Sequence, residues 1–259
     1  MAHRKLTLSL ALASTILAAP ALAQAAGNPS TAATTKADAD LPDGFEILNR
    51  YIHAIGGEEA YRKHTSQRLK GSFSIPVMGI EGSVLIQQQA PTQSLLNIEL
   101  NGIGSVVQGT DGEVAWIGQP GQKTKMAEGE LADLLIHEAN FYAIVEPHKV
   151  YTSAKTVGTE MLDGVECYRV ELETSWGQHR VALFEVESGL HRKMSMYDAN
   201  NPEMPSNVIV YDDYREVGGI KRPYKLTITS EGTDQEIIFD SIEFDVQFPK
   251  DTFDPPGTM

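Results

Sequence analysis

The chain has 259 residues, with 35 Asp and Glu against 21 Lys and Arg, a net charge of −14, 41% apolar residues and one cysteine. That acidity excludes a nucleic-acid binder, which needs a basic footprint on phosphate, and docking on anionic lipid by charge alone. One cysteine excludes an intramolecular disulfide framework and a cysteine-based zinc cluster, while the apolar share fits a folded protein rather than a disordered one.

Residues 1–23 carry the pattern of a secretory signal peptide. His3, Arg4 and Lys5 form a positive start, residues 6–19 an uncharged apolar run, and Ala21-Leu22-Ala23 a small-x-small cleavage signal before Gln24. The apolar run is shorter than the ~20 residues of a membrane-spanning helix. The only cysteine, Cys167, lies far from the cleavage point, where a lipid anchor would need one. The expectation is a soluble periplasmic protein with transient membrane contact at most. Residues 24–43, rich in Ala, Thr, Asn, Ser and Gly, read as a disordered leader. Cys167 falls inside a strand pattern and is expected to be a buried, small apolar residue.

The folded domain is expected over residues 44–256. Phe45, Leu48, Tyr51, Ile52 and Ile55 recur at helical spacing, and Gly56-Gly57 stops that helix. Residues 58–64 add a short further turn. A second helical window covers 129–141, where Leu131, Leu134, Leu135, Glu138 and Phe141 lie three or four apart. Two substantial helices are too few for a layered α/β fold with crossover helices.

The remainder alternates with period two. Leu96, Ile98 and Leu100 share one face, as do Tyr168, Val170 and Leu172, then Tyr224, Leu226 and Ile228, then Ile242, Phe244, Val246 and Phe248. Such alternation marks antiparallel sheet with one buried and one wet face. Asp111-Gly112, Asp163-Gly164 and Gly218-Gly219 supply residues suited to tight hairpin turns. The fold expected is mainly β: a single antiparallel, strongly curved, incomplete barrel of about ten strands, with two helical segments packed on its concave face.

Several of these segments together resemble the outer-membrane lipoprotein carrier and sorting superfamily (LolA/LolB-like), most of all its outer membrane lipoprotein-sorting branch. They are Tyr51-Ile52-His53-Ala54-Ile55-Gly56-Gly57, Gly109-Thr110-Asp111-Gly112-Glu113-Val114-Ala115-Trp116, Val157-Gly158-Thr159-Glu160 with Asp163-Gly164, Ser188-Gly189-Leu190, Asp213-Tyr214-Arg215, Gly219-Ile220-Lys221-Arg222-Pro223 and Phe253-Asp254-Pro255-Pro256. The resemblance implies a half-barrel whose apolar concave face is closed by helices and holds acyl chains. Its soluble carriers lack a lipidated cysteine, as this chain does.

Catalytic and metal signatures are weak. His137-Glu138 begins like a zinc-protease helix, but Phe141 stands where the second histidine belongs. His53, His64, His148, His179 and His191 show no metal spacing. The acidic turn from Asp198 to Glu203 lacks the spacing of a calcium loop. Phosphate-loop and nucleophile-elbow patterns are missing as well. No cofactor is called for.

A curved sheet with two helices either fills its interior or leaves a cavity. The reading taken is a cavity for lipid or lipoprotein acyl chains, lined by Met78, Leu96, Ile98, Trp116, Met126, Leu134, Leu135 and Phe141, with no catalytic residue. The alternative is a module that docks a cell-envelope protein, through the acidic strands near the C-terminus for instance. A hydrolase on the same scaffold comes third.

Overall fold

The computed structural model describes residues 41–255. The expected signal peptide and nearly all of the leader lie outside the described residues. Helix α1 (Gly44–Ala54) starts where expected, capped by Asp43, whose carboxylate accepts from the Phe45 and Glu46 amides at 2.9 and 3.4 Å. Its apolar stripe buries Ile47, Leu48 and Ile52. Gly56 and Gly57 then take φ of 120° and 91°, turning the chain into the short α2 (Glu58–Arg62).

Thirteen strands follow, rather than about ten. The first six are β1 (Ser66–Ile75), β2 (Ile80–Gln89), β3 (Gln93–Leu100), β4 (Gly104–Thr110), β5 (Ala115–Gly118) and β6 (Lys125–Met126). A connection then carries α3 (Glu130–Glu138) and α4 (Pro147–Val150). The other seven are β7 (Tyr151–Leu162), β8 (Val165–Thr174), β9 (His179–Glu185), β10 (His191–Asp198), β11 (Asn201–Val217), β12 (Ile220–Ser230) and β13 (Thr233–Phe244). The two-residue β6 is too short for alternation to reveal. The start of β11 holds Pro202 and Pro205 with exposed neighbours and has no clear period.

All neighbours pair antiparallel in one sheet, ordered β6-β5-β4-β3-β2-β1-β13-β12-β11-β10-β9-β8-β7. The sheet curls without closing: β1 pairs β13 in the middle, and β6 and β7 are the two edges. The Asp163-Gly164 and Gly218-Gly219 turns have positive φ at both residues, as expected. The strand ends at Phe244, although the alternation of burial continues through Val246 and Phe248. Asp245 takes a φ of 56°, and its carboxylate lies 2.8 Å from His64 Nδ1 and 3.2 Å from the Thr65 amide. Cys167 is fully buried.

Inward side chains build one large core, including Phe73, Ile98, Leu172, Phe184, Ile228 and Ile237. Two close approaches hold α1 across the C-terminal half of this concave face. A Cβ on Gly44 would lie 2.4 Å from the Ala154 carbonyl carbon of β7, and one on Gly56 would lie 2.5 Å from the Gly219 oxygen. The Ile55 carbonyl also accepts from the Lys221 amide at 2.8 Å. The connection from β6 to β7 runs from one sheet edge to the other. It touches β4 and β5 at α3, and β7 at α4. It forms a lid over the mouth of the half-barrel.

Candidate functional site

Between the concave face, α1 and the lid lie two adjoining compartments, of about 230 Å³ and about 220 Å³. Each is smaller than the roughly 300–1,000 Å³ of a drug-sized ligand's pocket, and side by side they enter that range. The compartment nearer the helices is walled by Leu48 and Tyr51 of α1, by Ala143, Ile144, Pro147 and Val150 of the lid, and by Phe184 and Met194 of the sheet. The other is walled by Leu69, Ile86, Gln88, Met196, Ile209, Leu226 and Phe239. Glu138, Arg180, Met194, Tyr211, Arg222 and Pro223 line both. The chamber is therefore mostly apolar, with its acid and its two arginines at the junction.

That polar junction has a definite structure. Arg180 on β9 is buried and forms an ion pair with Glu138 at the end of α3. Gln178 Oε1 accepts from Arg180 Nε at 2.9 Å and Nη2 at 2.7 Å. The guanidinium also lies 5.3 Å from the centre of the Trp176 ring. His137, exposed on α3, stacks on Trp176 at 5.0 Å with the rings 6° apart. Helix α3 is thus tied to this wall by one ion pair and one ring stack, and backbone hydrogen bonds anchor the rest of the connection: the Ala115, Pro91 and Val150 carbonyls accept from the Ala127, Phe141 and Ser175 amides at 2.8, 2.9 and 2.7 Å. On the opposite wall, Arg222 Nη1 donates to the Tyr61 hydroxyl at 3.1 Å.

An aromatic cluster completes the wall by α1. Phe184 stacks on His191 at 4.7 Å, and Tyr51 and Tyr211 pack around the pair. Tyr214 donates to the His191 carbonyl at 2.8 Å. Burial pushes the Tyr51, Tyr211 and Tyr214 hydroxyls up, so they stay neutral donors. Burial likewise pushes the His191 imidazole down from 6.5 to about 4, against the lift from its hydrogen bond to the Lys193 carbonyl.

This shift has a pH consequence. Above pH 6.5 His191 is neutral both folded and unfolded, and contributes no pH dependence. Between 6.5 and 4 the unfolded chain takes up a proton that the fold refuses, so stability falls as pH drops. The loss from this one group should reach about 2 kcal/mol at pH 5. An NMR titration should show the His191 ring neutral until about pH 4. A midpoint near 6.5 would mean that the ring reaches water.

The eight residues expected to line the cavity are all placed elsewhere, and none lines either compartment. Leu96 and Ile98 are buried in the solid part of the core. Trp116 is buried over Gly109, whose Cβ would come within 2.5 Å of the ring. Leu135 is buried and Leu134 half-buried on α3. Phe141 packs with Ile52, Ile55 and Tyr61 in a second, smaller cluster. Met78, at 47% exposure, sits in the β1–β2 turn after Pro76, and Met126, at 45%, on the edge strand β6. Both lie at the surface, because a turn and a two-residue edge strand have no partner layer above them.

The residues that do line the chamber leave a different trace. Ile220, Arg222, Tyr224, Leu226 and Ile228 share one phase of β12, so Arg222 is a charge on the buried face. On β9 both phases are buried, and Arg180 is the one charge in the run from Arg180 to Phe184. A charge within an otherwise apolar strand face was the signal available. Among the described residues, no group of three or more His, Cys, Asp or Glu is arranged to hold a metal ion. No described helix is long and apolar enough to cross a membrane.

No protein-family model matches the chain, and no curated protein matches it. Solved structures do. A LolA superfamily protein from Nitrosomonas europaea aligns at 14% identity and a TM-score of 0.56, over 82% of this chain and 98% of that one. A DUF1329 family protein from Desulfovibrio piger aligns at 12% and 0.57, again over 82% and 98%. An outer membrane lipoprotein-sorting protein domain from Vibrio parahaemolyticus aligns at 11% and 0.53, over 82% and 96%. At such identities the likeness is one of fold: an incomplete barrel with helices against its concave face.

Proposed function

We propose that this chain, a LolA-like half-barrel with a lidded concave face, is a non-enzymatic periplasmic carrier of lipid or lipoprotein acyl chains. The observation that carries the reading is the two-compartment, mostly apolar chamber under the connection that crosses from one sheet edge to the other. A chain entering it leaves water, and each methylene buried contributes about 0.8 kcal/mol. The signal-peptide pattern of residues 1–23 supports the compartment. One structural neighbour, a lipoprotein-sorting domain, supports the cargo class.

Native mass spectrometry of protein isolated from a periplasm, followed by organic extraction, tests the reading. The expected result is a discrete bound mass that extracts as lipid. Met194 lines both compartments, and Met194→Trp should fill the passage between them. Excluding two methylenes alone removes about 1.6 kcal/mol, so loading should fall more than tenfold. Protein that is apo, and stays apo after incubation with membranes, would overturn the carrier reading and favour a protein-docking module.

A further inference from the structure

We infer that the chamber selects an amphiphile with an acidic oxyanion head group, held at Arg222 between the two mostly apolar compartments. This rests on the carrier reading and deepens it by naming the ligand's polar end.

Arg222 sits on the inward phase of β12 and lines both compartments. Its hydrogen bond to the neutral Tyr61 hydroxyl satisfies one of its five N–H donors. Among the described residues it has no carboxylate within ion-pair distance, although the chain carries 35 acids. Arg62, Arg68, Arg169, Arg192 and Arg215 each have such a partner, and so does Arg180, the other arginine of the chamber.

The chamber's charges therefore do not cancel. Arg180 is matched by Glu138, His191 is held neutral by burial, and Arg222 leaves one positive charge in a largely apolar space. A half-buried cation without a counter-charge costs desolvation energy that a bound anion would offset. Two further donors stand on the chamber's walls. The buried Trp176 indole N–H, in the compartment nearer the helices, has no hydrogen-bond partner among the described residues, and the neutral Tyr211 hydroxyl lines both compartments beside Arg222. Donors around an unpaired guanidinium suit a carboxylate or phosphate, which only accepts. The mostly apolar walls on either side of the junction leave room for the chain attached to it.

The test is calorimetric titration of the full chain with four probes below their micellar concentrations: dodecanoate, dodecyl phosphate, dodecanol and dodecyltrimethylammonium. At least one acidic probe should bind more than about tenfold tighter than dodecanol, the difference expected of a charge-assisted hydrogen bond. The cationic probe should bind weakest. Whether dodecanoate or dodecyl phosphate binds tighter identifies the head group. Arg222→Gln should bring the acidic probes down to the level of dodecanol bound to the same variant, and that residual dodecanol binding reports an intact chamber. Arg222→Lys should keep part of the preference.

Equal binding of dodecanol and both acidic probes to the unaltered protein would overturn the inference while leaving the carrier reading standing. So would an acidic preference that survives Arg222→Gln. Failure of all four probes to bind would overturn the carrier reading, and this inference with it.

Discussion

Arg180→Ala is expected to destabilise the fold by about 3–5 kcal/mol, because it leaves the Glu138 carboxylate buried without its counter-charge. The side chains of Arg180 and Glu138 are only 6% and 11% exposed, so water cannot readily replace either partner. The attraction itself is a minor part of this figure. Most of it is the desolvation of the charge left behind, and the double variant separates the two. Arg180→Met with Glu138→Gln should recover most of the loss, since neither side then carries a buried charge.

The same pair bears on the lid. Glu138 ends α3 and Arg180 lies on β9, so the ion pair joins the connecting segment to the sheet. With the pair removed in the double variant, the stack of His137 on Trp176 is the remaining polar or aromatic tie from α3 to that wall. Hydrogen exchange in α3 should speed up even where global stability is restored. Urea denaturation checks the first claim. A loss below about 1 kcal/mol for Arg180→Ala would show that Glu138 finds solvent when its partner is gone.

Phe184→Ala should cost a comparable amount, about 3–5 kcal/mol. Phe184 is 1% exposed and belongs to the main core. It stacks on His191 at 4.7 Å and meets Tyr51 of α1 at 5.6 Å, so its removal undercuts the helix that roofs this half of the sheet. It also walls the compartment nearer the helices. The emptied volume would therefore join the existing chamber instead of forming an isolated void. Two measurements follow. Thermal unfolding should show the loss, with Phe184→Leu recovering most of it. In the carrier reading, the widened chamber should also admit a branched acyl probe that the unaltered protein excludes. Loss of stability without any change in probe selection would mean that Phe184 acts as core alone.

Much of the fold was legible from local pattern. The helix at α1 was marked by its apolar stripe and by Gly56-Gly57, whose positive φ ends it. The strands β3, β8 and β12 were marked by strict alternation, and the hairpins by Asp163-Gly164 and Gly218-Gly219. Each of these signals acts over a few residues. A tight turn needs two residues able to adopt positive φ, and a half-buried strand needs every second side chain to be apolar.

The site was not legible in the same way. Leu96 and Ile98 show the same alternation as Leu226, yet the first two lie in solid core and the third beside a cavity. Trp116 looked like a lining residue because it is large and inward, but it packs over Gly109 on the neighbouring strand. Met78 and Met126 were expected among the cavity's lining, and the turn and the sheet edge leave them exposed.

Local pattern was enough for the class of structure, because backbone hydrogen bonding and the pleat convert a two-residue period into sheet with one buried face. Period two also marks the inward phase of strands with one wet face, as at Tyr224, Leu226 and Ile228 of β12, but not of β9, which is buried on both faces. Which inward residues surround a space and which fill one follows from long-range packing. That depends on how far the thirteen strands curl before β6 and β7 stop short of pairing, and on where the connection between those edges crosses the concave face. Both are set by contacts between residues far apart in the chain, such as Glu138 with Arg180 and Tyr61 with Arg222, and no local period encodes them.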